Sequence, residues 1–576
     1  MKYKEYKNKL KEEYNTFEQE EIVIKKKSVH KRFIPLYVIC SVVLLIIALL
    51  TINHISVSSY NQNLDNEIKN HYDNISIVND LKKVTSKKDI TIYNKEYRQS
   101  FIDVIVDSSI KSINQLFNNA IQIPENEMSG VPSTNVPELG KPTEIDTNSQ
   151  VKGIDEADIA KCDEKYVYYL VNSNLYIYKH DGTIITQTRA IPGEMFIYND
   201  KIIIIGGKIK IFEFKDNILT EVYKSDNKVS DSRLINNNLF IVTNNYSLDD
   251  VDYDNCYYDE YTDVNCIFRI SKINLDNMEI DTVDNANNGL ATLYMSNEYI
   301  VLATRINFPY YCTSSFTLSS VFDTDLNPIG TFKSKGTVLN QFSIDIYNDT
   351  LRIVGTDNWA DDNKLNSITI FDLKNKIQLG FLDDGIGEQR QIVKSVRFQE
   401  NKCFIVTYKN TDPLYEIDLS DSTNPKIIDI YKAPGYSSYL HNFVINDKKY
   451  ILGLGLTDDL DYKISIYEDK EENIQIGKDF IISQYIYEGV GLKQDSFYPL
   501  FSNHKALFIY NDDINIYLGT NVDYNSYVIF KIDVTNPDKV VSIYMDIEVN
   551  YETRCFLVEG KLLIPNIESL IIKDLY

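Results

Sequence analysis

A short polar turn followed by an apolar strand recurs nine times along most of this chain. The turns contain Asn, Asp, Glu or Lys, and the strands are rich in Ile, Val, Leu, Tyr and Phe. The spacing between units runs from 36 to 61 residues, and such a period is typical of repeat architectures. The nine units are CDEKYVYYLV (from Cys162), YNDKIIIIGG (198), INNNLFIVTN (235), SNEYIVLATR (296), YNDTLRIVGT (347), QENKCFIVTY (399), INDKKYILGL (445), SNHKALFIYN (502) and VEGKLLIPNI (558).

Later strands in each unit, such as ITIFDLKNK and LYEIDLSDSTNP, bring the expected number of strands to about four per unit. Helical crossovers that would indicate a parallel α/β fold are missing from the pattern. The sequence therefore predicts an all-β fold, a β-propeller of about eight blades with a range of seven to nine. Because nine turns exceed eight blades, we expect the first and last units to close one blade together.

An uncharged apolar stretch precedes the repeats at residues 33–52. Its twenty residues are long enough for a helix to cross a bilayer core of about 30 Å. The basic run KKKSVHKR comes directly before it, whereas 53–68 contains no Lys or Arg. The positive-inside rule then predicts a signal-anchor: a cytoplasmic basic tail at 1–32, a single transmembrane helix, and the rest outside the cell membrane.

The region between the apolar stretch and the repeats is expected to form an extracellular stalk at 53–150. It contains a short predicted helix between Ile102 and Phe117 and then a linker rich in Pro, Ser, Thr and Asn. The propeller domain is predicted at 151–576. The formal net charge of −24, despite the basic tail, argues against nucleic acid as a partner.

Three runs of the sequence resemble one known family. They are GIDEADIAKCDEKYVYYL (153–170), the stretch 395–441 with TDPLY and GYSSYLH, and NHKALFIY (503–510). They are similar to a family of secreted, often membrane-anchored bacterial and archaeal β-propeller proteins. The resemblance implies the fold and an extracellular location. It implies no activity, because none is established for that family.

Carboxylates are concentrated in the first of these runs. We expect Asp155, Glu156 and Asp158 to orient the first strand and to cap neighbouring backbone donors, because their alternation does not bring all three to one point without a turn. Contact with a metal or a ligand, and catalysis, are the alternatives.

A second acidic run, LDDVDYDNCYYDEYTDVN (248–265), contains no Lys or Arg. Asp250, Asp252 and Asp254 follow the spacing that opens a calcium-binding loop, and Asp259 and Glu260 follow closely. The twelfth position is Tyr rather than the usual Glu, so a solvated acidic loop is the alternative. No cofactor other than this possible Ca²⁺ is expected. Cys256 and Cys266 flank part of the run and are a candidate disulfide.

Candidates for chemistry are few. Arg397, Tyr439, His441 and His504 lie in or near the family-like runs and are weak catalytic candidates if they meet at one mouth of the channel. Hydrogen-bonded groups at blade turns are the alternative interpretation. The sequence favours a membrane-tethered extracellular propeller that binds or scaffolds an unknown protein or polysaccharide. The second hypothesis is a propeller hydrolase or lyase acting on an envelope or extracellular polymer.

Overall fold

The computed structural model describes residues 48–63, 76–86, 89 and 147–575. The last range has gaps at 227, 246–252, 260–263, 265, 288, 307–314, 358–364, 389, 409–411, 434, 460, 471–473, 483–502, 513 and 523–524. The chain divides into two compact units. One consists of Met1–Asn70 and Asn94–Asn126, and the other of His71–Tyr93 and Glu127–Tyr576.

The first unit contributes one described element, helix α1 (48–63). Most of the predicted membrane span, 33–47, lies outside the described residues, as does the predicted helix between Ile102 and Phe117. In the parts of the chain that the structure describes, no helix has both the length and the apolar character to cross a membrane. The transmembrane helix and the stalk therefore stay predictions.

The second unit is a β-propeller in which nine sheets can be recognised among the described residues. Two short strands, β1 and β2, come before the first blade: β1 (Val78–Asn79) and β2 (Lys82–Lys83). Blades 1 to 3 are formed by β3 (Ala160–Cys162), β4 (Tyr166–Val171), β5 (Asn174–Lys179), β6 (Ile184–Arg189), β7 (Gly193–Tyr198), β8 (Lys201–Gly206), β9 (Ile209–Lys215), β10 (Ile218–Ser225), β11 (Val229–Ile235), β12 (Asn238–Asn245), β13 (Cys256–Tyr258), β14 (Cys266–Asn274) and β15 (Ile280–Asn287).

Blades 4 to 6 continue the same order, with four strands each before any addition from elsewhere in the chain. They are formed by β16 (Ala291–Met295), β17 (Tyr299–Ile306), β18 (Phe316–Asp323), β19 (Pro328–Lys335), β20 (Ile344–Tyr347), β21 (Thr350–Thr356), β22 (Asn366–Asp372), β23 (Ile377–Leu382), β24 (Ile392–Gln399), β25 (Lys402–Tyr408), β26 (Asp412–Asp418) and β27 (Lys426–Ala433).

Blades 7 to 9 complete the described sheets. In blade 7 the fourth position is shared by two short strands, which both pair with the third strand. The strands are β28 (Tyr436–Ile445), β29 (Lys448–Leu456), β30 (Tyr462–Asp469), β31 (Ile474–Gln475), β32 (Phe480–Ile481), β33 (Phe508–Asn511), β34 (Ile516–Asn521), β35 (Ser526–Ile532), β36 (Val541–Glu548), β37 (Phe556–Val558), β38 (Lys561–Asn566) and β39 (Ser569–Asp574). Short 3₁₀ helices lie at Tyr253–Asn255, Gln341–Ser343 and His504–Ala506.

The turns that join the first and second strands of the blades account for eight of the nine repeated motifs. In blade 5, Asn348 and Asp349 form a two-residue loop with φ values of 49° and 58°. Asn446 and Asp447 do the same in blade 7, with φ values of 50° and 61°. Asn and Asp tolerate this left-handed conformation, which a tight hairpin between twisted strands requires.

The ninth motif, at Ser502, was wrongly interpreted as such a turn. Asn503 instead caps the 3₁₀ helix His504–Ala506, and its side chain accepts a hydrogen bond from the Lys505 backbone. This helix precedes the first strand of blade 8, whose own hairpin turn follows β33 at 512–515. The blade count of nine lies within the predicted range and is one more than the central prediction.

The ring does not close in the way that we predicted from the sequence. Blade 9 consists of the consecutive strands β37, β38 and β39. Among the described residues, no strand of blade 1 pairs with this sheet. Side chains join the two blades instead. Tyr169 and Tyr178 of blade 1 pack in one cluster with Phe556 and Leu563 of blade 9. The Tyr178 hydroxyl also donates a hydrogen bond of 2.7 Å to the carbonyl of Asn566.

The segment before the first blade extends two sheets at their outer edges. β1 pairs antiparallel with β19, the last strand of blade 4. β2 pairs with β13, which in turn lies parallel to β15 at the edge of blade 3. Strand edges attract unwanted pairing, and here the chain covers two of them with its own residues.

Candidate functional site

The acidic run before the first strand crosses the centre of the ring. We call residues 147–158 the lead-in segment. Asp155 forms a backbone bridge with Leu234 of blade 3, and Asp158 forms one with Met195 of blade 2. Because β7 and β11 are the first strands of their blades, these bridges tie the lead-in segment to the innermost layer. The expected structural role of this run agrees with that geometry.

Glu156 is the most heavily bonded carboxylate of the lead-in segment. Its Oε2 lies 2.8 Å from His504 Nε2, and its Oε1 accepts a hydrogen bond of 3.0 Å from Gln341 Nε2. Arg233 Nε is 3.7 Å away. Burial opposes ionisation of this side chain, but the charges of Arg233 and His504 outweigh it and hold the pKa of Glu156 well below its usual range. The carboxylate thus joins blades 3, 5 and 8.

Asp158 makes a further contact between the two ends of the propeller sequence. Arg554, two residues before β37, donates hydrogen bonds of 2.8 and 2.7 Å from Nε and Nη2 to the two carboxylate oxygens. Asp158 is fully buried and Arg554 is buried beside it. Although burial opposes the charge on Arg554, the neighbouring Asp158 and Glu552 raise the pKa of its guanidinium. Such a planar, two-bond pair is the strongest form of ion pair that the two side chains can make.

The four catalytic candidates do come close together. The Tyr439 hydroxyl is 3.3 Å from His441 Nδ1, and Asn148 Nδ2 donates hydrogen bonds to the Tyr439 hydroxyl (3.1 Å) and the His504 carbonyl (3.0 Å). Burial and the charge of Arg397 lower the pKa of His441 to about 3. Burial raises the pKa of Tyr439 to about 12 and lowers that of Arg397 to about 10.

These side chains are buried, and the lead-in segment covers part of them. A neutral imidazole inside the ring, bonded to a tyrosine that keeps its proton, is a poor general acid near neutral pH. His441, His504 and Tyr439 also do not line the large cavity described next. Their contacts are those of interior hydrogen-bonding groups.

A cavity of about 640 Å³ opens beside the lead-in segment. We call it the blade 4–7 cavity, because its walls come from β16, β20, β24 and β28 and from the turns that follow the first three of these strands. Gln150 and Val151 of the lead-in segment form part of its lining. Its volume is within the range of about 300–1,000 Å³ that is typical of small-molecule sites.

Arg352 organises one wall of the blade 4–7 cavity. Its Nε donates a hydrogen bond of 2.9 Å to Asp345, and Nη1 donates to the carbonyl of Glu400 in the next blade. Its guanidinium lies 5.0 Å from the ring centres of both Tyr347 and Phe398. The ring and ion-pair contacts together hold the arginine rigidly between blades 5 and 6.

Asn442 contributes a polar group that the described residues leave unsatisfied. The residue is 2% exposed and lines the blade 4–7 cavity from blade 7. Its Nδ2 donates a hydrogen bond of 2.8 Å to Gln399 Oε1, whereas its Oδ1 has no hydrogen-bond partner within the described part of the chain. A buried amide oxygen without a partner is costly, so a donor from water or from a bound molecule would stabilise it.

The predicted calcium ligands are only partly described. Asp250, Asp252 and Glu260 lie outside the described residues. Asp254 is in a 3₁₀ helix, and Asp259 is buried, with Asn79 Nδ2 3.4 Å from its carboxylate. No group of His, Cys, Asp and Glu that could hold a metal ion occurs within the part of the chain that is described. The calcium site stays a prediction.

The candidate disulfide is not formed in this structure. Cys256 is on β13 and Cys266 on β14, and both strands pair with β15 from opposite sides. Neighbouring strands are about 4.8 Å apart, so the two backbones are too distant for a disulfide. Both thiols are buried, and burial raises the pKa of Cys266 to about 11.

The comparison with protein families decides where this chain belongs. The model of the Beta propeller domain family matches residues 145–533. The chain belongs to this family. The match begins just before the lead-in segment and ends in blade 8. It confirms the resemblance of the three sequence runs to a β-propeller family.

Two relatives of this chain are uncharacterized archaeal proteins. One, from Methanocaldococcus jannaschii, is 27% identical over 60% of this chain and 70% of its own length. The other, from Archaeoglobus fulgidus, is 34% identical over 33% of this chain, and the chain covers only 28% of that relative. Both are named only as uncharacterized proteins, so these relatives indicate no function.

Solved structures match more distantly. Apo AztD from Citrobacter koseri is 10% identical, over 69% of this chain and 95% of that chain, with a TM-score of 0.35. Kluyveromyces lactis Hsv2p is 13% identical, over 57% of this chain and 99% of that chain, with a TM-score of 0.33. TM-scores this low carry no argument about the function of this chain.

Sequence reasoning missed several residues that build the site. Arg233, Arg352, Asn442 and Arg554 were not predicted, although three of them share a recognisable signal. Each of the three arginines interrupts or borders an apolar strand, where a charged side chain needs a partner inside the fold. The identity of that partner depends on which blades become neighbours, so the single sequence does not reveal it.

Proposed function

We propose that this propeller is a binding module whose ligand site is the blade 4–7 cavity. The observation that carries the proposal is the contrast between two sets of buried polar groups. Glu156 and Asp158 bond to protein partners, whereas the side-chain oxygen of Asn442, a residue of the cavity lining, has no partner among the described residues. The buried groups around His441 bond to one another and so serve the fold. The blade 4–7 cavity is the place where a ligand would bind.

The hydrolase or lyase alternative receives less support. A polymer-cleaving enzyme needs an acid or base within reach of its substrate. Among the described residues, the lining of the blade 4–7 cavity has no histidine, and its Asp345 is engaged by Arg352. Glu298 and Glu400, which also belong to the described lining, are exposed.

The proposal includes attachment to the cell membrane by residues 33–52, with the propeller outside the cell. The charge asymmetry around this stretch supports it. The described end of the stretch is also apolar, since Leu49 and Ile52 are exposed apolar side chains on α1. A tethered binding domain of this kind would act as an adhesion or scaffolding unit at the cell envelope.

A blocking substitution tests the location of the site. Glu298 is exposed in the turn between β16 and β17 and lines the cavity, so Glu298→Trp is expected to fill the opening while leaving the fold intact. Glu164→Trp is the matched control, because Glu164 is exposed in the corresponding turn of blade 1, away from the cavity. The full-length protein, purified in detergent, is screened against glycans, peptides and envelope fractions.

We expect the wild type and Glu164→Trp to retain a common ligand and Glu298→Trp to lose it. Retention by all three proteins would place the binding site elsewhere. Release of cleaved products during the screen would replace the binding function by the hydrolase or lyase alternative.

A further inference from the structure

The charges around the blade 4–7 cavity disfavour an anionic ligand. Two arginines line it, Arg352 and Arg397, but Asp345 already pairs with Arg352. Glu298 and Glu400 stand at exposed positions of the lining, and the whole chain carries a net charge of −24. An incoming anion would meet repulsion before it reaches the arginines.

A cationic ligand meets the opposite difficulty. Arg397 is 4% exposed and lies in the cavity wall, and Arg352 is held beside it between two rings. A ligand cation would be repelled by the two buried guanidinium groups. This repulsion exceeds the attraction from the glutamates at the rim, because water screens those exposed carboxylates. The distribution of charge therefore favours a neutral ligand.

The Asn442–Gln399 pair defines the hydrogen bonds that this ligand has to make. In the present orientation Asn442 Oδ1 lacks a hydrogen-bond donor. If both amide groups were rotated by 180°, Gln399 would donate to Asn442, and Asn442 Nδ2 would lack an acceptor instead. A hydroxyl group both donates and accepts, so it satisfies the amide in either orientation. An aliphatic or aromatic hydrocarbon satisfies neither.

Aromatic and planar polar side chains both line the same cavity. Tyr299 and Tyr347 bring rings, and Gln399 and Asn442 bring amides. The Tyr299 hydroxyl donates a hydrogen bond of 2.9 Å to Asp349, which fixes the ring at the turn between β20 and β21. Rings offer apolar faces, and fixed amides offer directed hydrogen bonds, a combination suited to a ligand with C–H faces and hydroxyl edges.

We propose that the blade 4–7 cavity binds a short neutral carbohydrate, either free or as a segment of a surface polysaccharide, with a sugar hydroxyl bonded to Asn442. This inference rests on the proposed binding function and specifies its ligand. No chemical step is involved, and the sugar leaves unchanged.

The test uses the full-length protein in a zwitterionic detergent, since sugar-based detergents would compete. Three probe classes are measured by calorimetry and thermal shift: neutral oligosaccharides, lysine-rich peptides, and acidic oligosaccharides of the same length. An insoluble neutral polysaccharide is used for co-sedimentation, to distinguish polymer segments from free sugars. The variants are Asn442→Leu, which removes the amide at similar size, and Glu298→Trp, with Glu164→Trp as control.

We expect a neutral oligosaccharide to bind the wild type and Glu164→Trp and to lose measurable binding to Glu298→Trp. Asn442→Leu is expected to bind about three- to tenfold more weakly, the usual effect of one lost neutral hydrogen bond. If Asn442→Leu does not fold, Gln399→Leu at a half-buried position replaces it.

Two results would overturn the inference, and they differ from each other. Binding of only the peptides or only the acidic sugars, still abolished by Glu298→Trp, would reject the neutral carbohydrate and keep the binding function. No binding in any class, or binding that Glu298→Trp does not affect, would reject the site itself.

Discussion

Single buried charges have specific partners in this propeller, and the partners come from distant parts of the chain. Asp158 meets Arg554, and Glu156 meets His504, each across more than 300 residues of sequence. The acidic run was recognisable in the sequence, and its structural role was predicted correctly. Which carboxylate would meet which blade was not, because that depends on the order in which nine sheets close into a ring.

His441 gives a pH dependence that belongs to one residue. Its folded-state pKa of about 3 lies below the ordinary histidine value of about 6.5, so between these two pH values the unfolded chain binds a proton that the folded chain does not. Stability from this group is complete above about pH 6.5 and falls as the pH drops towards 3, by at most about 1.4 kcal/mol per pH unit. We expect His441→Gln to show a smaller decrease of the free energy of unfolding between about pH 6.5 and lower pH than the wild type.

Urea unfolding between about pH 7 and pH 4 measures the effect as a difference between the two proteins. Identical slopes for the wild type and His441→Gln would show that the imidazole titrates normally in the folded protein.

Among the elements, the hairpin turns were the easiest to predict, and the smallest strands were missed. Two-residue Asn-Asp loops have a strong local signal, because few residues adopt the left-handed conformation. The turn assigned to Ser502 failed because a helix cap uses the same residue types as a hairpin turn. β1 and β2 are two residues long and are defined by the sheet edges they reach, which no local pattern reveals.

A buried ion pair between Asp158 and Arg554 joins the lead-in segment to the residues just before blade 9, which predicts a large effect of Asp158→Asn. The substitution keeps the shape of the side chain but leaves the Arg554 charge buried beside a neutral amide. Breaking a buried pair by removing one partner usually costs about 3–5 kcal/mol, so we expect a loss of that size in the free energy of unfolding. Equilibrium denaturation in urea measures it.

The control for this change is Glu213→Gln, which removes an exposed ion pair with Lys215 on blade 2. Exposed pairs contribute little, and the unfolding midpoint of this variant should match the wild type. Equal unfolding midpoints for the two variants would mean that the Asp158–Arg554 ion pair does not stabilise the ring.

For the whole molecule, the prediction with the widest consequence concerns orientation in a membrane. The basic tail precedes residues 33–52, and the chain beyond them is acidic. Single cysteines introduced as Asn15→Cys and Tyr60→Cys are treated in intact cells with a bulky maleimide that does not cross membranes. We expect Tyr60→Cys to react directly and Asn15→Cys to react only after permeabilisation.

The unmodified chain measures the background of this experiment, and its described cysteines are all buried. The reverse labelling pattern would place the propeller in the cytoplasm. Reaction of both introduced thiols in intact cells would exclude the membrane span.

The pairing of β1 and β2 with the outer edges of blades 4 and 3 has a mechanical consequence. Tension applied to the chain before Val78 reaches the ring first at its perimeter, through two-residue edge pairings. These few hydrogen bonds would yield long before the buried contacts of Glu156 and Asp158 at the centre carried any load. Under such tension we expect β1 and β2 to detach first, while the blades of the ring stay paired.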